Sequence, residues 1–202
     1  MSAGHGLQPD GGRIDRDAAG KPSGLFIDNA MLLVEQARPA MSEATAEHAL
    51  QIAMRAAVSQ GLTGVHDAGI SLKELQRYRR LADRGQMPLR ITAMADGDGE
   101  ALESLCRNGL YRHASGRLQM RAVKLYADGA LGSRGAAMLE DYSDDHGNRG
   151  LMVMSPAQLA TAADKAKRCG VQAATHAIGD RGNRETLDVY AKALAADAGG
   201  DH

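Results

Sequence analysis

The chain has no Trp, a single Phe and five Tyr. A stacking platform for single-stranded nucleic acid therefore has little to be built from. Its two cysteines, Cys106 and Cys169, are too few for a disulfide framework. The simpler expectation is a reduced, cytoplasmic chain in which both pack on helices. Neither sign of charge dominates: 24 Lys and Arg stand against 25 Asp and Glu, a formal net charge of −1. That balance argues against a nucleic-acid or anionic-lipid partner. No apolar run approaches the ~20 residues of a membrane span, and the opening residues carry no apolar secretory stretch. H-x-H, HExxH, CxxC, GxSxG and the Walker A loop are all missing. DGDGE at 96–100 starts like a calcium loop but has Ala101 where the turn needs glycine.

What is present is an ordinary globular composition, 44% hydrophobic and 24% charged over 202 residues. Residues 1–40 are Gly- and Asp-rich and read as an irregular arm with a short hairpin. From Ser42 onward, strand and helix signals alternate. Ser42 caps a helix with Ala46, Ala49, Leu50, Ala53, Met54 and Ala57 on one face, closed by Gly61. Apolar runs at 62–66, 88–95, 120–127 and 171–176 read as buried strands. Between them, SLKE at 71–74 is a capping box, a further helix spans roughly 98–110, and SPAQ at 155–158 opens another. Asp180 is expected to cap the last. Strands alternating with helices imply parallel pairing and an α/β fold, either an open sheet or part of a (β/α)8 barrel. A whole barrel needs eight strands and ~250 residues, so a complete one is excluded.

In such folds the chemistry collects at the C-terminal ends of strands. Lys124 lies within the apolar run RAVKLYADG, where a lysine must be paired, neutral or modified. A partner such as Asp128 or Asp67 is one reading. A neutral amine that captures CO2 as a metal-bridging carbamate is the other. His176 ends its strand on the face of Gln172 and Ala174, where it is either a hydrogen-bonded structural residue or a metal ligand. After Asp128 comes a 22-residue loop, GALGSRGAAMLEDYSDDHGNRG. A loop of that length is either functional or a mobile insertion. Gly129 permits close approach of a ligand, and Arg134 has the chemistry to hold an oxyanion.

GLTGVHDAG (61–69), VKLYADGALGSRGAAMLEDY (123–142) and THAIGDRGNRETLD (175–188) together resemble the amidohydrolase superfamily. The likeness is to its family 3, the YtcJ-like and N-substituted-formamide-deformylase-like proteins, whose arm is similar to residues 11–30. The resemblance implies a partial TIM (β/α)8 barrel over residues 41–202, about strands two to five, preceded by the arm of residues 1–40. It implies hydrolysis of a small-molecule amide or related C–N bond by metal-activated water, with a divalent metal, zinc foremost and iron or manganese open. Lys124 then matches the fourth-strand ligand, as a carbamate, and His176 the fifth-strand histidine. Asp128, Gly129 and Arg134 fall where substrate is bound. The family's H-x-H, sixth-strand histidine and aspartate base have no counterpart, so no catalytic residue is expected here. The isolated chain is expected to be inactive, and either poorly soluble or associated through exposed barrel edges into a homo-oligomer. Two other readings remain: a non-catalytic α/β binding module on the same scaffold, and an enzyme using Lys124 as a Schiff-base amine.

Overall fold

In the computed structural model, which describes residues 8–195, the arm opens with an antiparallel hairpin of β1 (Gly12–Arg16) and β2 (Pro22–Asp28). Asp17 makes the turn: its side chain accepts the backbone N–H groups of Ala19 and Lys21, both at 2.9 Å. A short 3-10 turn (Asn29–Met31) leads into α1 (Leu32–Ala37), a helix with no buried residue. Its Leu32, Leu33 and Val34 are each half exposed or more.

The regular part begins with α2 (Glu43–Ser59), whose N-cap Ser42 accepts the Thr45 N–H at 3.1 Å. Then follow β3 (Gly64–Ile70), α3 (Leu72–Asp83), β4 (Arg90–Asp96), α4 (Glu100–Asn108), β5 (Tyr111–Arg112) and β6 (Leu118–Tyr126). The capping box expected at 71–74 is present in both halves, with Ser71 and Glu74 each satisfying the other's backbone N–H. β3, β4 and β6 pair in parallel in that order. The long connections that parallel pairing requires are supplied by α3 and α4. β5, unforeseen in the sequence, adds an antiparallel partner to β6. β7 (Gln172–His176), reached through α5 (Pro156–Arg168), also pairs β6, and α6 (Asp180–Leu194) follows it.

The described residues divide into two units. Ala40–Leu125 with Ala162–Ala174 form a strand–helix unit. Residues up to Pro39, Tyr126–Thr161 and those from Thr175 form an arm–loop unit. In the first, Leu75, Leu81, Ile91, Leu102, Leu105, Leu118, Met120, Val123 and Leu125 are all buried. Each such side chain contributes about 1.5–3 kcal/mol of transfer free energy. A surface network fastens α2 to α3, with Glu43 contacting Lys73, Arg77 and Arg80.

One expectation from the sequence is corrected here. Cys106 and Cys169 are not free packing residues; they form a disulfide joining α4 to the residue just after α5. α5 ends at Arg168 and turns at Gly170, which brings Cys169 within a Cα–Cα distance of 4.9 Å of Cys106. Spacing in sequence could not show that proximity. Disulfides persist in oxidising surroundings. The cysteine count therefore gives no support to a cytoplasmic location. Among the described residues, no helix is long and apolar enough to cross a membrane.

Candidate functional site

Asp128 organises the arm–loop unit. It lies two residues beyond the end of β6 and is 2% exposed, and its carboxylate is filled by backbone donors. Oδ2 accepts the N–H of Ala137 at 2.8 Å and of Gly179 at 2.7 Å, and Oδ1 accepts that of Ile178 at 2.9 Å. Two of those donors form the turn between β7 and α6, whose first-turn N–H groups would otherwise want partners. A side chain on Gly182 would collide with the Asp128 carboxyl group, its Cβ falling 2.7 Å from the carboxyl carbon. Asp128 thus ties the loop after β6 to the start of α6.

His176 ends β7, its carbonyl accepting the Ala127 N–H at 2.8 Å. Its side chain is 28% exposed. The imidazole Nε2 faces the Gly129 carbonyl at 3.5 Å and Asp128 Oδ1 at 3.9 Å. The contact with the Gly129 carbonyl would make Nε2 the protonated nitrogen of a neutral ring and leave a lone pair on Nδ1. The Tyr126 ring lies 6.1 Å away, centroid to centroid.

Asp28, unremarked in the sequence, belongs to the same unit. Its backbone, at φ 52° and ψ −127°, occupies a region open essentially to glycine, a strain of about 1–3 kcal/mol for any other residue. Its carboxyl group presses on Gly129 and Gly135. Burial and the charge of Asp128 push its pKa up, against the opposing pull of His176 and Arg13. Positive φ and side-chain wedging carry no signal in a single sequence, so nothing in the string FIDNA marks this aspartate.

The long loop is ordered by its own polar side chains. Tyr142 Oη donates to the Ala136 carbonyl at 2.9 Å, and Asn148 and Asp141 brace the turn through Gly147, Arg149 and Gly150. Arg134 pairs with Asp144 at 3.0 Å on the exposed side of this loop. It lies beside a cavity of about 710 Å³ that Glu140, Asp141, Asp144 and Asp180 also line. The expected site residues Asp128, Gly129 and His176 therefore come together, whereas Arg134 is engaged by a carboxylate of its own loop.

Lys124 lies in the strand–helix unit, on β6 between the buried Val123 and Leu125 and in register with Asp96 of β4. Burial lowers its pKa, favouring the neutral amine. Burial and then Glu74 raise that of Asp96. Asp67, in the middle of β3, accepts the Tyr78 hydroxyl at 2.7 Å. Among the described residues no three His, Cys, Asp or Glu side chains cluster as a metal site. Of the residues the sequence marks as ligands, Lys124 and His176 belong to different units, and two donors are fewer than the three or more that a hydrolytic centre uses. Their chemistry fits a divalent ion in kind: an imidazole with one nitrogen left to coordinate, and an amine held towards neutrality.

A model of the amidohydrolase family matches residues 3–202. YtcJ of Bacillus subtilis (strain 168) is 34% identical over 193 residues, covering 91% of this chain and 35% of that protein. The N-substituted formamide deformylase of Arthrobacter pascens is 28% identical over 195 residues, covering 92% of this chain and 36% of the enzyme. The crystal structure of an uncharacterised metal-dependent hydrolase from Pyrococcus horikoshii OT3 superposes with a TM-score of 0.71 at 28% identity, covering 81% of this chain and 33% of that one. The chain thus spans about a third of the length of the proteins it matches.

Proposed function

The chain belongs to the amidohydrolase family, and from that premise we propose that it supplies part of the metal centre of a hydrolase acting on carbon–nitrogen bonds other than peptide bonds. His176, through Nδ1, and Lys124, as a carbamate, are the ligands in this reading, and zinc is the ion. The observation that carries it is the orientation of His176, with Nε2 turned to Gly129 and Asp128 and the other nitrogen left to coordinate. Lys124 supports it, because only a neutral amine adds CO2 and burial moves this one that way. A bound divalent ion supplies a water acidified towards neutral pH and polarises the scissile carbonyl. Asp128 fixes the backbone from which His176 projects, and the Gly129 carbonyl holds the ring proton on Nε2. An amide is the substrate class, by analogy with the deformylase named above.

The test is elemental analysis of the gel-filtered chain after exposure to zinc and bicarbonate. The expected result is about one divalent ion per chain, lost in His176→Ala and in Lys124→Ala. A folded chain that takes up no metal would overturn the assignment for these residues and leave a binding module on the same scaffold.

A further inference from the structure

Asp28 breaks two local rules at once. A residue with a Cβ is held at φ 52° and ψ −127°, where glycine alone is at ease. Its carboxylate Oδ2 is buried, and among the described residues no donor reaches it. A glycine would relieve the backbone, and a neutral side chain would relieve the charge. Natural chains break such rules mainly where position serves a site.

The position here is specific. The Asp28 carboxyl group lies over the α-carbons of Gly129 and Gly135, the two ends of a tight turn closed by the Gly129 N–H donating to the Gly135 carbonyl at 3.4 Å. A Cβ on Gly129 would meet Asp28 Oδ1 at 2.5 Å and the carboxyl carbon at 2.6 Å. Gly135 and Ala136 both donate to the Ala130 carbonyl, at 3.0 and 3.1 Å. The turn is therefore seated on Asp28 at one end and on its own amides within. Its first residue, Gly129, presents the carbonyl that faces His176 Nε2.

We propose that Asp28 is a positioning residue for His176, acting through Gly129. Its volume seats the turn, and through the turn it sets where the Gly129 carbonyl meets the His176 ring. The inference deepens the reading of His176 as a ligand and rests on it only for its purpose; the geometry requires no metal.

The experiment is NMR on the 202-residue chain with 15N-labelled histidine, combined with amide hydrogen exchange, in the wild type, Asp28→Ala and Asp28→Asn. Asp28→Ala is expected to speed exchange at Gly135 and Ala136 by about tenfold or more and to move the His176 ring nitrogens. Asp28→Asn keeps the volume, and it should hold exchange to within about threefold of wild type and leave the ring nitrogens near their wild-type shifts. Ring signals in Asp28→Ala that coincide with the wild type would overturn the proposal and reduce Asp28 to a filler of space. If Asp28→Ala fails to fold, Asp28→Gly, which suits the backbone angle and removes the same volume, decides in its place. Zinc titration of the same samples separates the two readings. No zinc binding with displaced ring signals sinks the metal assignment and keeps Asp28 as a positioning residue. Zinc binding with unmoved signals does the reverse.

Discussion

The parallel strands β3, β4 and β6 and the loop that follows β6 satisfy their backbones in opposite ways. In the strand–helix unit, the sheet ladder pairs N–H with C=O, and buried leucines, alanines and methionines pack upon it. In the loop that follows β6, side chains take the place of a ladder. Asp128 accepts three backbone N–H groups, Asp141 and Asn148 accept others, and Tyr142 donates to a carbonyl. A ladder spreads its stability over many equivalent bonds, and losing one side chain leaves it standing. A hub concentrates stability in a single carboxylate, so one substitution removes several bonds together.

The contrast breaks most sharply at Asp128. Asp128→Ala strands three donors, two of them buried and one part-buried, and at about 1–3 kcal/mol each the expected loss is about 3 kcal/mol or more. Urea unfolding measures it, and a loss below about 1 kcal/mol would mean the loop re-pairs its amides elsewhere. A smaller loss is expected in the regular unit when its cross-link is opened. The Cys106–Cys169 bridge spans a sequence separation of 63, and its removal by a paired Cys→Ala substitution should cost about 2–4 kcal/mol. Thermal unfolding with and without a reducing agent reads the same quantity, and the paired variant should no longer respond to the reagent.

The smallest effect lies at the surface and appears as a pH dependence. Hydrogen bonds from Arg77 and Lys73 lower the pKa of Glu43 from 4.5 to about 2. A carboxyl group depressed on folding stabilises the native state above its unfolded pKa and loses that contribution as pH falls through the folded one. The window therefore runs from about pH 4.5 down to about pH 2. Stability of the wild type should fall more steeply across it than that of Glu43→Gln, and equal slopes would show the network to be screened away by solvent.

The same contrast explains what could be read from the sequence. The capping residues Ser42 and Ser71 and the apolar runs gave the regular unit nearly in full, and Ser155 the start of α5, because caps and periodicity act within a few residues. β3 runs past its expected end at residue 66 to Ile70, since pairing with β4 continues as far as Ala95. β5 is only two residues long and has no periodicity of its own to read. In the site, residue types marked Asp128 and His176, but their work was visible only in space. Asp128 was expected to meet substrate, and its oxygens are given to the backbone. Asp28 was silent because its significance lies in a backbone angle and in two glycines more than a hundred residues away.

The reach of Asp128 also sets an order of events in time. Two of its three bonds close over 50 and 51 residues of chain, to Ile178 and Gly179. The Ser71–Glu74 capping box closes over three. During synthesis the helical segments can form as they emerge, whereas the loop after β6 waits for β7 and the first turn of α6 to be made. Until then Asp128 is a solvated carboxylate on an unfinished strand end. The part of the molecule that carries the candidate chemistry is thus the last to be assembled. By the same chain-closure argument, it should be among the first to open under denaturant, and a nascent chain stopped short of Gly179 should leave that loop open to protease.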